Sequence, residues 1–191
     1  MRPCSFDLDD FRRACGNFPT GVTVTTIVSP EGIPHGITVS SFTSVSLDPP
    51  LVLICIDHRS QINEYIHVGQ AIGINVLNEN QQELSRQFAR SWADRFNGVD
   101  WYSGHTGVPV LNDVPAAFEC QITEMVPAGD HVVIIARVIH VLATESIPLA
   151  YLRRSYGTVI RREIAPHASV TTLPRFEHEL GTQDRTLGIH G

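Results

Sequence analysis

The sequence predicts a fold dominated by β-structure, an antiparallel β-barrel with a few flanking helices. Six or seven segments rich in β-branched residues are separated by turn signals, whereas only two or three segments show helical periodicity. These segments do not follow the steady strand–helix–strand alternation that is typical of a doubly wound parallel sheet. The chain has 191 residues and a hydrophobic fraction of 42%, which is enough for one ordinary globular core.

The N-terminal third predicts one helix followed by strands. Residues 7–16 form the helix, because acidic residues crowd its start and a glycine stands at its end. The segments 21–29 and 35–42 are rich in valine, isoleucine and threonine and predict two strands joined by a turn. Residues 44–57 contain two adjacent prolines, which exclude a helix and precede an apolar strand.

The middle of the chain predicts two further helices. Ser60 is placed to cap a helix over residues 61–68. Residues 78–90 predict a second helix that is polar over most of its surface. Leu84 and Phe88 lie four residues apart in it and form its core stripe.

The remaining strands lie on either side of a long loop. Residues 71–77 predict a buried strand, and residues 92–109 predict the loop because glycine, aspartate and aromatic residues are frequent there. Two long strands follow over 117–125 and 131–142, and a short apolar segment over 148–152 completes the pattern.

A domain boundary is expected near residue 160. Residues 1–160 contain all the periodic segments and predict one domain. Residues 161–191 mix charges, prolines and histidines with few apolar positions, which predicts a C-terminal arm or tail. An arm that clasps a second subunit is the alternative.

Composition excludes several classes of function. The formal charge of −6 argues against a nucleic-acid binder. All 14 basic residues are arginine, so a lysine Schiff base and a Walker P-loop are both excluded. No apolar run approaches the length of a membrane helix and the N-terminus lacks a signal-like apolar segment, which predicts a cytoplasmic protein without membrane contact.

Common catalytic and metal-binding motifs are missing from the sequence. HExxH, GxSxG and GxGxxG do not occur, and neither the cysteines nor the histidines have metal-ligand spacing. The sequence therefore predicts no metal site. A dinucleotide would have to bind without the Rossmann fingerprint.

Several segments, in order along the chain, resemble one known family. The matching segments are FRRACGNFPTGVTVTT (11–26), GITVSSFTSVSLDPPLVL (36–53), INVLNENQQELSRQFA (74–89), DRFNGVDW (94–101), GDH (129–131) and PLAYLRRSYG (148–157). Together they span about four fifths of the chain. The sequence is thereby identified as a member of the flavin reductase-like family, whose fold is the FMN-binding split barrel, a Greek-key split β-barrel.

The resemblance implies three segments that bind flavin. Hydroxyls and backbone N–H groups can hold a flavin phosphate or ring edge without lysine, and Ser41 is expected near the phosphate. Taken alone, the hydroxyls of residues 38–41 could cap a turn, residues 55–61 could cap a helix, and Arg90 could pair with a surface carboxylate. The three segments are Thr38, Val39, Ser40 and Ser41; Cys55, Ile56, Asp57, His58, Arg59, Ser60 and Gln61; and Phe88, Ala89 and Arg90.

The resemblance also implies a nicotinamide side of the site. His131 in the Gly-Asp-His segment is expected beside the dinucleotide, although a single histidine entering a strand can be purely structural. Arg153 and Arg154 are expected at phosphate or ribose, and Tyr156 at a stacking position. The alternative for the arginine pair is surface charge.

The activity implied is that of an NAD(P)H:flavin oxidoreductase. Hydride would pass from NADH, less readily NADPH, to FAD or FMN, and this transfer requires no catalytic side chain. Reduced flavin would reach a partner flavin-dependent monooxygenase by diffusion, and the chain would form a homodimer. Three alternatives remain: a non-catalytic flavin carrier or sensor, a split-barrel flavin-dependent oxidase, and a structural domain that binds no flavin.

Overall fold

The computed structural model describes residues 6–90 and 94–160, and the predicted arm or tail over 161–191 lies outside them. The described residues form two α-helices, one 3₁₀ helix and twelve strands, which confirms the prediction of a mainly β-fold. The helices are α1 (Leu8–Gly16), the 3₁₀ helix (Gln61–Glu64) and α2 (Gln82–Ala89). The strands are β1 (Thr20–Gly21), β2 (Thr23–Val28), β3 (Pro34–Val39), β4 (Thr43–Leu47), β5 (Pro50–Asp57), β6 (Ala71–Val76), β7 (Trp101–Ser103), β8 (Pro109–Leu111), β9 (Ala116–Ala128), β10 (His131–Ala143), β11 (Leu149–Leu152) and β12 (Ser155–Thr158).

Helix α1 begins as the sequence predicts. The Asp7 carboxylate accepts hydrogen bonds from the N–H groups of Asp9 and Asp10 at 2.6 and 2.8 Å, which makes Asp7 the N-cap. None of the α1 residues is buried. Neither of the two α-helices in the described ranges is long and apolar enough to cross a membrane.

The other two helices are shorter than predicted. Ser60 makes no side-chain cap, and the segment after it forms only the four-residue 3₁₀ helix, in which the N–H groups of Asn63 and Tyr65 donate to carbonyls three residues earlier. Helix α2 begins at Gln82 rather than at residue 78. There the side chains of Asn78 and Gln81 bond backbone N–H groups and form a turn that competes with a helix.

The prediction of an unbroken loop over 92–109 is wrong, because this segment contains regular structure. Strand β7 lies within it and pairs with β8, forming a small antiparallel hairpin. The sequence offers little β-branched periodicity here, and the hairpin depends on contacts with distant strands that are described below.

The principal sheet has seven antiparallel strands in the order β3-β2-β6-β9-β10-β5-β4. Its two outer strands are consecutive in the chain, joined only by residues 40–42. A flat sheet would separate these outer strands by six spacings, about 29 Å, whereas the four steps from Val39 to Thr43 span at most about 14 Å. The sheet therefore curls into a barrel whose seam is residues 40–42.

Two clusters of buried side chains lie on the two sides of strand β2. Ile27 belongs to the cluster inside the barrel, with isoleucines of β5, β6, β9 and β10. Val24 faces the opposite side and packs with Phe88 of α2 and Leu111 of β8. Because both of its faces are covered, β2 is buried along nearly its whole length.

A buried carboxylate holds the β7–β8 turn against the barrel. Glu119 on β9 is 3% exposed, and it accepts hydrogen bonds from the N–H groups of His105 and Thr106 and from the Thr106 hydroxyl. Gly104 lies so close that an added Cβ would stand 2.7 Å from the carboxylate. Burial opposes ionisation of Glu119, but the N–H donors of Thr106 and His105 outweigh it and hold the pKa below its ordinary value.

Replacement of Glu119 by glutamine is expected to lower the free energy of unfolding by about 1–3 kcal/mol at neutral pH, because an amide nitrogen would face N–H donors. The folded pKa is depressed, so the carboxylate stabilises the fold above about pH 4.5 and this contribution is lost as pH falls further. Urea unfolding of both proteins between pH 3 and 7 measures the difference. Glu124→Gln, an exposed change on the same strand, is the control and is expected to cost under about 0.5 kcal/mol. Equal losses in the two variants would contradict the assigned role.

Candidate functional site

The first predicted segment, residues 38–41, begins in β3 and runs into the barrel seam. The Thr38 hydroxyl donates to the carbonyl of Ser85 on α2 at 2.7 Å. The Ser41 hydroxyl accepts from the Cys55 N–H at 2.8 Å and donates to the Cys55 carbonyl at 3.1 Å. The Ser41 hydroxyl therefore fastens the seam to β5 and the Thr38 hydroxyl fastens β3 to α2, while Ser40 between them is exposed.

The second predicted segment, residues 55–61, continues from β5 into the 3₁₀ helix. Ile56 is a core side chain, so it can offer a ligand only its backbone. The N–H group of His58 donates to the Asp130 carbonyl at 3.0 Å, which joins this loop to the start of β10. The sequence placed these residues at the start of a longer helix. The four-residue 3₁₀ helix found instead has a much smaller dipole than a full helix, so it offers a bound anion little electrostatic support.

A pair of opposite charges stands at the end of β5. Arg59 donates to the Asp57 carboxylate from its side chain, at 2.6 Å, and from its backbone N–H, at 2.8 Å. Together these bonds hold the pKa of Asp57 well below its usual range. The Asp57 carboxylate thus remains ionised and already partnered at neutral pH, and it is unsuited to act as a general base.

The third predicted segment, residues 88–90, ends helix α2. Phe88 is fully buried, as its periodicity predicts, whereas Ala89 and Arg90 are exposed. Gly36 on β3 lies directly under the Phe88 ring, and an added Cβ would stand 2.6 Å from it. This close approach explains how α2 reaches Thr38, and it leaves Phe88 as a packing residue whose ring faces the core.

His131 lies at the first position of β10, opposite Asp57 of β5. Its Nδ1 is 2.7 Å from a carboxylate oxygen of Asp130, and this bond lowers the pKa of Asp130. The imidazole is about two-fifths exposed. The second ring nitrogen, Nε2, is not part of this bond.

The predicted C-terminal residues divide between two places. The Tyr156 hydroxyl is 3.0 Å from the Ser85 hydroxyl, and its ring packs under the Arg86 guanidinium and against Tyr151. Arg153 instead lies against α1, where its backbone N–H donates to Gly16 and its Nε to Asn17. In the described part of the chain, no hydrogen bond joins Arg153 or Arg154 to His131.

The structure thus brings the predicted residues together in linked pairs. Ser41 meets Cys55 across the seam, Asp57 and His131 share one strand register, and Thr38 and Tyr156 both bond Ser85. Ser85 was missed because a serine beside a helical core stripe is usually a surface residue. Its complete burial is the only feature that distinguishes it, and burial is not visible in the sequence.

Potential metal ligands and the Cys120 thiol were compared with the rest of the site in the part of the chain that the structure describes. Among residues 6–90 and 94–160, no group of three or more histidine, cysteine or acidic side chains is arranged to hold a metal ion. Burial raises the pKa of the Cys120 thiol to about 12, so this group is protonated and a poor nucleophile. The site offers mainly neutral hydroxyls and backbone donors, a set suited to holding a phosphate and a carbonyl-rich ring.

Comparison with known proteins places this geometry in a family. Residues 15–159 match the family model described as "Flavin reductase like domain". A probable flavin reductase of Rhizobium meliloti is 46% identical over 153 residues, which cover 80% of this chain and 49% of that protein. The reductase component of the flavin-dependent trigonelline monooxygenase of Acinetobacter baylyi is 38% identical over 78% of this chain and 48% of its own length. The chain therefore spans about half the length of these two curated relatives.

Solved structures agree with the sequence comparison. The NADH:FAD oxidoreductase SgcE6 of Streptomyces globisporus, in complex with NAD and FAD fragments, superposes with a TM-score of 0.74. It is 34% identical, and the match covers 85% of this chain and 96% of that one.

Substitution of Ser41 by alanine is expected to lower the free energy of unfolding by about 1–3 kcal/mol, because both the N–H and the carbonyl of Cys55 lose a partner. Ser40→Ala removes an exposed hydroxyl one residue away and is expected to change stability by less than about 0.5 kcal/mol. Thermal and urea unfolding of the two variants measure the contrast. Indistinguishable stabilities would show that the Ser41 bonds do not secure the seam.

Proposed function

This chain belongs to the flavin reductase-like family, and we propose that it is an NAD(P)H:flavin oxidoreductase that supplies reduced flavin to a partner monooxygenase. The observation that supports this most directly is the seam, where residues 40–42 leave the ladder of β3 and Ser40 is exposed beside hydroxyls held in place by Ser85 and Cys55. The proposal extends to the whole protein the activity that the names of the relatives describe.

The residues present fit a flavin. Ser40 and the backbone groups of residues 40–42 would hold the phosphate or ring edge, because they are neutral donors beside a rigid seam. The predicted contacts of Val39, Ile56 and Phe88 are restricted to their backbones, since their side chains belong to the core. On the other side of the seam, Cys55 meets Ser41 directly and Asp57 lies two residues further along β5, whereas Gln61 lies beside Pro34 and Gly36 in the first half of β3.

The protein has a positioning task in this reaction. The bound flavin supplies the electron acceptor for the hydride that the reduced nicotinamide donates. The chain must hold two ring systems in contact and exclude competing geometries, which can supply several kcal/mol of barrier reduction by orientation alone. His131 would orient the dinucleotide through Nε2 while Asp130 fixes the ring by bonding Nδ1. No general base is required, and Asp57 is engaged by Arg59.

NADH is proposed as the principal donor, and FAD or FMN as the acceptor. The partner monooxygenase would receive reduced flavin by diffusion, so a lasting complex between the two proteins is unnecessary. A homodimer is part of the proposal because it follows from the family resemblance. Light scattering on the purified chain tests it.

Anaerobic mixing of the purified chain with NADH and either FAD or FMN tests the activity. The flavin absorbance is expected to bleach with stoichiometric loss of NADH, and gel filtration is expected to recover the reduced flavin apart from the protein. A carrier or sensor would bind flavin and leave NADH unconsumed, and an oxidase would be reduced by an amine without NADH. Either result, or failure to bind flavin at all, would refute the reductase.

The His131→Ala variant is expected to raise the KM for NADH about tenfold, the effect of one lost hydrogen bond, while the flavin dissociation constant changes little. Steady-state kinetics and a fluorescence titration with flavin measure the two quantities. His140→Ala, an exposed change near the other end of the same strand, is the control and is expected to alter neither. An unchanged KM for NADH in His131→Ala would remove His131 from the proposed site.

A further inference from the structure

Helix α2 buries a polar side chain that its sequence does not lead one to expect. The helix has eight residues, and Ser85 and Phe88 are the two that are buried. Phe88 packs closely over Gly36, but a fully buried serine gains little from packing, since its hydroxyl must find a partner inside the protein. The Ser85 hydroxyl is 3.0 Å from the Tyr156 hydroxyl of β12. The buried serine of α2 is therefore committed to a residue on a different element.

The backbone of the same residue is bonded to the principal sheet. The Ser85 carbonyl accepts a hydrogen bond from the Thr38 hydroxyl at 2.7 Å. Thr38 is the next-to-last residue of β3, which leads directly into the seam at residues 40–42. Strand β12 belongs instead to a three-stranded sheet with the order β1-β11-β12. Ser85 thus bonds one sheet through its carbonyl and the other through its side chain.

Tyr156 depends on α2 for its position. Its strand, β12, is an outer strand of the three-stranded sheet and pairs with β11. In the ranges 6–90 and 94–160, the Ser85–Tyr156 bond is the one side-chain hydrogen bond between α2 and this sheet. The Arg86 guanidinium lies 5.5 Å from the centre of the Tyr156 ring and adds a cation–π contact. Loss of the Ser85 hydroxyl would therefore free the β11–β12 hairpin from its polar contact with α2.

Helix α2 is short enough for its position to depend on such contacts. A helix of eight residues has little stability of its own and is held by tertiary interactions. A ligand that fixes Thr38 therefore also restricts α2, and a ligand that fixes Tyr156 restricts it from the other side. Whichever ligand binds first meets the entropic cost of ordering α2, so the second ligand binds more tightly. The expected result is positive cooperativity between the two ligands.

We propose that Ser85 is a positioning residue that couples flavin binding, through Thr38, to nicotinamide binding, through Tyr156. The identity of the two ligands rests on the proposed function, whereas the two bonds of Ser85 do not. Ser85 contacts neither ligand and acts only through its two partners. By thermodynamic linkage, the nucleotide tightens flavin binding by the same factor as flavin tightens nucleotide binding.

The test measures flavin binding to the full-length chain by calorimetry, with and without saturating NAD⁺, which is oxidised and permits no turnover. The ratio of the dissociation constants without and with NAD⁺ is the coupling factor, and we expect it to be about five or more. In Ser85→Ala the coupling factor is expected to fall to about one. A general loss of stability would change both dissociation constants alike and leave the factor unchanged.

The Ser85→Ala variant is expected to fold. Alanine has the highest helix propensity of all residues, and Tyr156 is only partly buried, so its hydroxyl can turn to water. The coupling factor is therefore measured on a folded protein, which circular dichroism of the variant verifies.

Further substitutions separate the effect of this bond from that of its surroundings. Tyr156→Phe removes the other hydroxyl and is expected to lower the coupling factor as far as Ser85→Ala does. The double variant is expected to lose no more than either single variant, since one bond accounts for both losses. Tyr102→Phe removes an exposed tyrosine hydroxyl on β7 and is the control, expected to keep the wild-type factor. A wild-type factor in Ser85→Ala, or additive losses in the double variant, would overturn the proposal.

Failure of this proposal can be distinguished from failure of the proposed function. Coupled binding of flavin and NAD⁺ without reduction of flavin by NADH would reject only the reductase. Reduction of flavin by a wild-type chain in which the two ligands bind independently would reject only the role of Ser85. Absence of flavin binding would reject both.

Discussion

The short connection between the two outer strands of the principal sheet is the constraint on which the rest of the structure depends. Residues 40–42 must span the gap between β3 and β4, and they can do so only if the seven strands curl into a barrel. This connection is bonded to β5, because the Ser41 hydroxyl pairs with both the backbone N–H and the carbonyl of Cys55, as a neighbouring strand would. The proposed ligand-binding segment is therefore also the segment that closes the fold.

This double role bears on how a flavin would affect the protein. A ligand that contacts residues 40–42 and β5 together binds only the closed barrel, so its binding free energy adds to the stability of the seam. Helix α2 extends the same linkage, because Ser85 bonds Thr38 on one side and Tyr156 on the other. Substitutions at the seam will thus change affinity through closure as well as through contact.

The sequence was sufficient for the fold class and the family, and insufficient for much of the detail. The segments rich in β-branched residues correspond to β2, β3, β5, β6, β9 and β10. These strands could be predicted because the residue pattern that indicates a strand is contained within each segment. The β7–β8 hairpin was missed because Glu119, which holds its turn, lies in a different part of the sequence. After Ser60, Ile62 and Ile66 do face the core as the periodicity predicts, but the backbone forms only a 3₁₀ turn, which apolar spacing over so short a segment does not distinguish from an α-helix.

The site residues show the same limit. Family resemblance selected residues along the chain, but it could not say which of their side chains are buried. Phe88 and Ile56 pack in the core, whereas Ser40 remains accessible. Gly36 carries a further consequence. An added methyl group at position 36 would stand 2.6 Å from the buried Phe88 ring, so that ring would have to shift. Because Phe88 and Ser85 lie on the same turn of α2, such a shift would disturb the bonds of Ser85 to Thr38 and Tyr156. Glycine at position 36 thus sets how closely α2 is held to β3 from outside the proposed site.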